Sequence, residues 1–554
     1  MGCGSSMGAM DSNAFQAALR EADLQSSSRG LPAAASLTYQ GVFNEHSFCT
    51  GGAETKEIVA LTAHAVHDDR GDDEVWVGCF LKSCRDGQPR NEVPMDMVVV
   101  LDVSGSMGLA VSGDLHQSRL ALAKSALLSL VPRLRADDRF GLATFTRQGH
   151  VVQPLIHVSE MTDLDARIAA LTPGGGTTLA AGMEAAIQIS GEPEVRRHRR
   201  LLFLTDMDDL DSEQLNLLVA SQSDRGLYVS FVGIGAHFNS SLAEVVTKHR
   251  GANYFCMTRQ EELHKIIVSN FDWNFFPAAF NVEVTHQSDA FDLHAVYGTA
   301  LDTHEETIEA EWMPSAHKYY PTAFKEVART LMLCAQRTAH GCLPMPAWQK
   351  IFSFLSAGVR TVVNIDTVFP SGVSEDGSVE GGLILLRLKP RAQFGSLSAG
   401  HVRLTLRYEA NGVSCAACQD ISVSDNCSEQ SLGTTLDRAV RKGMMLQRYV
   451  HTCRQYLLLR EPVRAHEEGH REYVEKVRAA LADLHAFSAE LDAVQECTTD
   501  GSELCPGVRS QLAAFLGMVE SHASMVDSCA LESLEPEVNQ KVQEASEQDA
   551  MPVP

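Results

Sequence analysis

Three short segments of this chain place hard oxygen donors at turns beside apolar runs. Asp102-Val103-Ser104-Gly105-Ser106-Met107 follows the run Met97 to Leu101 with a carboxylate and two hydroxyls, and Gly105 lets the loop turn tightly. Pro173-Gly174-Gly175-Gly176-Thr177-Thr178 precedes an expected helix. Leu204-Thr205-Asp206-Met207-Asp208-Asp209 ends a second apolar run with a carboxylate. Hydroxyls together with one or two carboxylates suit Mg²⁺, which demands near-octahedral oxygen geometry and keeps several waters or an outside ligand. Asp208 and Asp209 would add negative potential nearby, although surface carboxylates are ordinarily solvated.

These segments act together only if one fold gathers them. Met97 to Leu101 is apolar without alternation, as a central parallel strand covered on both faces would be. An amphipathic helix follows over Ser118 to Val131, with Leu120, Ala123, Leu127 and Leu128 as its apolar positions. Arg139 to Phe145, Arg200 to Thr205, Leu227 to Ile234 and Asn253 to Cys256 read as further strands. Between them Met161 to Leu171, Leu179 to Ile189, Ser212 to Ser221, Leu242 to Lys248 and Glu261 to Ser269 read as helices. Strand–helix alternation predicts an α/β domain over residues 93–270 with a doubly wound, mostly parallel sheet. Ligands of such sheets bind outside the carboxyl ends of the strands, where strand order reverses. All three oxygen-bearing segments fall at such ends.

Asp102, Ser104 and Ser106 match the D-x-S-x-S motif of von Willebrand factor A domains, a Rossmann-like family. Gly175-Gly176-Thr177 resembles that family's threonine loop, and Leu204-Thr205-Asp206 its second aspartate. The resemblance implies a metal-ion-dependent adhesion site, with Asp102, Ser104 and Ser106 as direct ligands of Mg²⁺ (or Mn²⁺ or Ca²⁺). Thr177 would bind directly or through water, and Asp206 mostly through water. It further implies that an acidic residue of a protein partner completes the coordination shell. The expectation is a binding module, not an enzyme.

The flanking sequence has another character. Residues 35–92 and 271–424 are rich in strand-like runs, including Ile58 to Leu61, Val75 to Leu81, Phe280 to Thr285, Leu293 to Tyr297, Thr307 to Trp312, Thr361 to Asp366, Gly382 to Leu388 and Val402 to Tyr408. Their Gly, Pro and Asp punctuation predicts an antiparallel β-sandwich-like domain into which the α/β unit is inserted. The arrangement resembles intracellular and bacterial A-domain proteins that pack this domain on a β-sandwich, with Gly41 to Asn44 and Phe80 to Ser83 as part of the pattern. A helical insert occupies 322–356. Residues 425–530 have apolar positions at helical spacing over Leu436 to Leu459, His466 to Leu491 and Val508 to Ser524, which predicts a C-terminal helical bundle. Residues 1–34 read as a flexible leader and 531–554 as an acidic, disordered tail.

Other motifs receive less weight. His466-Glu467-Glu468-Gly469-His470 fits H-E-x-x-H, but Glu468 and Gly469 are poor choices inside a zinc-binding helix, and no third ligand is apparent. Cys415-Ala416-Ala417-Cys418 is a single C-x-x-C where a zinc site needs two. Leu343 to Leu355 resembles an F-box, a Leu-Pro step followed by a helix bearing Trp348 and an Ile351-x-x-Phe354-Leu355 face. That resemblance implies, as an alternative function, an adaptor in a ubiquitin-ligase-type complex. A buried helical insert gives the same pattern. Gly174 to Gly176 lacks the Lys-Ser/Thr of a phosphate loop.

Composition sets outer bounds. The 554 residues are 44% hydrophobic and 21% charged, ordinary values for a globular chain, and the length suggests about three or four domains. A net charge of −25 disfavours nucleic acid and broad docking on anionic lipid. Met1-Gly2-Cys3-Gly4-Ser5-Ser6 has no apolar run and reads as no secretory signal, so a cytoplasmic setting with most of the fourteen cysteines reduced is expected. The same residues match an N-myristoylation pattern at Gly2 with a palmitoylation position at Cys3. Two acyl chains would anchor the protein stably to the cytosolic face of a membrane.

Overall fold

The computed structural model describes residues 15, 19, 31–32, 34–46, 48, 55–68, 74–111, 114–194, 196–206, 212–234, 249–257, 259–299, 317, 320, 321–336, 343–356, 359–373, 382–391, 400–423, 434–459, 467–496, 505 and 507–526. The chain forms two compact units: residues 1–14 with 39–444, and residues 15–38 with 445–554.

In the first unit, β1 (Ala60–His67) and β2 (Val75–Lys82) lead into β3 (Met95–Asp102). A small hairpin, β4 (Ala110–Val111) and β5 (Asp114–Ser118), precedes β6 (Arg139–Phe145), β7 (Gly149–His157), β8 (His198–Thr205), β9 (Leu227–Ile234) and β10 (Asn253–Met257). These last five strands and β3 form one sheet in the order β10-β9-β8-β3-β6-β7, parallel except for the edge strand β7. The chain leaves β3 toward β6 on one side and later returns to β8 on the other. The order therefore reverses at β3, whose eight residues are all buried.

The uniform apolarity of β3 follows from its two coats. Met97, Val99 and Leu101 face helix α1 (Arg119–Leu130) through Leu120, Leu122, Ala123 and Leu127. Val98 and Val100 face helices α2 (Leu179–Ser190) and α3 (Ser212–Ser223) through Leu179, Met183, Ala186, Leu215 and Val219. Leu128, expected on the apolar face of α1, is 41% exposed; Leu122 and Ala126 are buried instead. The helix over Leu164–Ala169 is shorter than the sequence pattern suggests. The stretch after His264 continues as a π-helical turn, Lys265–Ser269. The expected helix over 242–248 lies outside the described residues, as does the expected strand over 307–312.

The flanking strands build a sandwich. Sheet β1-β2-β14-β12 combines strands from before the α/β domain with β12 (Phe291–Tyr297) and β14 (Gly382–Pro390). Sheet β13-β11-β15-β16 joins β11 (Ala279–Ser288), β13 (Arg360–Val368), β15 (Gly400–Ala410) and β16 (Val413–Val423). Every pairing in both is antiparallel, and Val77, Val284, Leu386 and Leu404 meet in one shared core. The α/β domain is thus inserted between β2 and β11. Arg250 forks onto Glu409 at 2.9 and 2.8 Å, and Gly251 N donates to Thr367 Oγ1 at 2.6 Å, tying the insert to the sandwich.

Two segments depart from the sequence expectation. Gly41 to Asn44 lies in a helix, Tyr39–Glu45, rather than a strand. Its residues 39–43 are buried, Tyr39 lies against Tyr297 and Phe43 against Phe48, so tertiary packing overrides the local pattern. The leader is not wholly a tether: Phe15 and Leu19, one helical turn apart, are buried, with Phe15 against Phe515 in the second unit. That unit also contains helix Glu467–Glu496, a helix over 508–526, and the part of helix Thr435–Leu457 from Met445 onward. Tyr456 Oη bonds to His522 Nδ1 at 2.9 Å inside it. Gly2, Cys3, His466 and residues 531–554 lie outside the described residues. No helix among the described residues is long and apolar enough to cross a membrane.

Candidate metal centre

Asp102 ends β3 at the point of strand reversal, and its side chain is completely buried. Backbone N–H of Ser104 donates to Asp102 Oδ1 at 2.8 Å, and Thr205 Oγ1 donates to Asp102 Oδ2 at 2.7 Å. Burial pushes the Asp102 carboxyl up to about 6, and nearby Asp206 pushes the same way, while the Ser104 and Thr205 bonds oppose the rise. The Ser104 and Ser106 hydroxyl oxygens stand 3.1 Å apart. After Ser104 the chain enters a short 3₁₀ turn, Gly105–Gly108, which buries Met107 and so anchors the loop from below.

The threonine loop is stitched to this turn by backbone bonds. Gly105 N donates to Gly175 O at 3.0 Å, and Gly174 N donates to Val103 O at 2.8 Å. A Cβ on Gly105 would approach Gly175 O to 3.3 Å, and Gly175 has φ +84°, so small residues are needed where the loops meet. Thr178 N donates to the backbone O of Thr146, the residue just after β6, which fixes the far side of the loop. Thr177 is partly exposed between these anchors. Lys124 on α1 clamps the entrance of the loop, donating to Ala169 O at 2.9 Å and Leu171 O at 2.6 Å.

Asp206 follows β8 directly and is completely buried. Its Oδ2 accepts from Arg119 Nη1 at 2.8 Å, whereas its Oδ1 has no hydrogen-bond partner among the described residues. Asp208 and Asp209 lie outside the described residues. The structure thus brings Asp102, Ser104 and Ser106 into one turn and ties the Thr177 loop to it. It places Asp206 one residue beyond Thr205, the partner of Asp102. Sequence reasoning missed Arg119, Lys124 and Thr205, although a cation at the first position of a helix was a usable signal.

The donor set fits a divalent ion. All of its atoms are hard oxygens, the buried Asp206 Oδ1 is an orphaned acceptor, and the raised Asp102 carboxyl marks a site that a nearby cation would stabilise. Among the described residues no group of three His, Cys, Asp or Glu converges. The hydroxyls of Ser104, Ser106 and Thr177 are therefore needed to complete a ligand set here.

Residues 97–208 match the family model of the von Willebrand factor type A domain. The chain carries a von Willebrand factor A domain. Two curated relatives are similar to about a third of the chain. An uncharacterized protein YfbK of Escherichia coli K12 is 27% identical over 180 residues, 31% of this chain and 30% of the relative. An uncharacterized protein sll0103 of Synechocystis is 28% identical over 175 residues, 31% of this chain and 40% of the relative. The chain spans under half the length of both. Among solved structures, a von Willebrand factor type A protein from Catenulispora acidiphila aligns over 80% of this chain and 91% of its own, at 11% identity and a TM-score of 0.42.

Two other sequence motifs do not converge on chemistry, while His466 of the H-E-x-x-H segment lies outside the described residues. Cys415 and Cys418 both lie in β16, where residues three apart point to opposite faces of the sheet. They cannot clasp one ion, and Cys418 Sγ instead meets Thr405 Oγ1 at 3.5 Å. In the helix Met345–Ser356, Trp348 and Phe352 are buried and stack at 5.1 Å, with Phe324 edge-on to Phe352. The F-box-like segment therefore spends this face on the chain's own core, leaving Leu343, Met345 and Leu355 exposed.

Proposed function

We propose that the A domain is a divalent-cation-dependent protein-binding module that captures an acidic residue of a protein partner through Mg²⁺ and performs no catalysis. The observation that carries this reading is that buried Asp102, held by the Ser104 backbone N–H, ends its strand at the switch point where the Ser104 and Ser106 hydroxyls meet, with a buried Asp206 oxygen left without a hydrogen-bond partner among the described residues. Asp102, Ser104 and Ser106 would bind the ion directly. Thr177 would bind it directly or through water, and Asp206 mostly through water. A bound ion would supply a Lewis-acidic position open to a carboxylate oxygen.

The chain's own residues do the rest. Thr205 holds the Asp102 carboxylate by one oxygen, Ser104 N holds it by the other, and Lys124 and the Gly105–Gly175 bond keep the threonine loop at hand. The sandwich and helical unit serve as scaffold. On the same reading the protein works at the cytosolic face of a membrane, with Gly2 and Cys3 acylated; loss of myristate incorporation in Gly2→Ala tests that part.

Affinity capture from a lysate, with Mg²⁺ and with EDTA, tests the binding role. Partners retained by the wild type only with Mg²⁺, and lost in Asp102→Ala, support it. Partners indifferent to both contradict it. The adaptor alternative keeps a foothold in exposed Leu343, Met345 and Leu355. Loss of a partner in Leu343→Asp that EDTA leaves untouched would favour that alternative.

A further inference from the structure

Arg119 occupies the first position of α1, directly after the cap Ser118, whose side chain accepts from Ala121 N. A cation there faces the positive end of the helix dipole, an arrangement that ordinarily costs stability. Its Nη1 nevertheless bonds to Asp206 Oδ2 at 2.8 Å, and its Nε is buried with no hydrogen-bond partner among the described residues. The guanidinium is thus held near the metal loop against both its helix and its own hydrogen-bonding needs. Asp206, completely buried, is the carboxylate it answers.

We propose that Arg119 is a built-in counter-cation of the metal loop, holding Asp206 in the metal-free chain and lowering the site's affinity for a divalent ion. This rests on the metal-site reading above. Two buried carboxylates with no cation would repel each other, and Arg119 relieves that repulsion when no ion is bound. The same positive charge opposes an arriving ion. With Arg119 in place the loaded site carries a net positive charge, which calls for an anionic ligand from outside. Without it, Asp102 and Asp206 would neutralise a divalent ion by themselves. Arg119 is a positioning residue and no ligand: it acts on the ion by holding Asp206 and by its own charge.

The test is calorimetric titration of the full chain with Mg²⁺ and Mn²⁺ alone, together with melting temperatures in EDTA and in Mg²⁺. Removing a unit charge a few ångströms from the site in Arg119→Met should tighten Mg²⁺ binding about tenfold. Arg119→Lys, which keeps the charge, should stay within about threefold of wild type. In EDTA the Met variant should melt below wild type, and its gain on adding Mg²⁺ should exceed the wild-type gain. If R119M fails to fold, R119Q carries the same comparison. A wild type that binds Mg²⁺ alongside an R119M that binds no tighter overturns this inference alone. If neither wild type nor any variant binds metal, the site reading itself fails, and this inference fails with it.

Discussion

Thr205→Val removes the hydrogen bond that holds Asp102 beneath the metal loop. The hydroxyl is completely buried at the end of β8 and donates to Asp102 Oδ2 at 2.7 Å. Valine keeps the β-branched shape and the strand, so the change removes a donor and little volume. A hydrogen bond to a charged group contributes roughly 1.5–3 kcal/mol. In the metal-free chain the loss is softened, because Asp102, already pushed up to about 6 by burial, can take a proton. A metal-bound Asp102 must stay ionised and keep its orientation, so the loss falls mainly on the loaded state. At pH 7 the expected weakening of Mg²⁺ affinity is roughly tenfold to a hundredfold, the range seen for residues that orient metal ligands. It should shrink at pH 8.5, where the proton no longer competes. Calorimetric titration at both pH values, with near-ultraviolet dichroism to confirm the fold, reads this out. Affinity within twofold of wild type at pH 7 refutes the positioning role, and an equal loss at both pH values refutes the proton argument.

Other perturbations probe the scaffold. Arg200 is completely buried and donates to Phe275 O, Gly251 O and Ser230 Oγ, so Arg200→Met should cost about 3 kcal/mol by stranding several buried acceptors. A denaturation midpoint equal to wild type would contradict it. Phe352→Ala removes a fully buried ring from the sandwich core and should destabilise by about 3–5 kcal/mol, visible as a lower melting temperature. His46 and His286 are buried, and burial lowers them to about 3 and about 4, so they stay neutral when folded, whereas the unfolded chain takes up their protons near pH 6.5. Their stabilisation is therefore complete above about pH 6.5 and lost as pH falls toward 4, by up to ~1.4 kcal/mol per pH unit each. Denaturation midpoints at pH 7.5 and 5.0 should show the drop, and His286→Phe should flatten it. A wild-type midpoint unchanged between the two contradicts the assignment.

The A domain was legible because its central strand is apolar on both faces and its oxygen donors sit at strand ends. Edge elements were not. β7 contains Pro154 and has few buried residues, so neither period nor apolarity marks it. β16 is largely exposed, and its pairing with β15 replaces the hydrophobic signal that a sequence pattern needs. Tyr39–Glu45 is helical because Tyr297, Phe48 and Gly298 offer its aromatic rings a place, a fact of tertiary packing and not of local preference. The five proposed ligands could be chosen from their loops, but the residues that hold them could not. Arg119, Lys124 and Thr205 act across sequence separations of 87, 47 and 103 residues, which no local motif encodes.

Direct titration of the full chain with Mg²⁺, in parallel with Asp102→Ala, tests the metal site itself. Saturable binding of one ion by the wild type, abolished in the variant while its fold is kept, is the predicted result. An absence of binding by the wild type, or equal binding by both, would contradict the account.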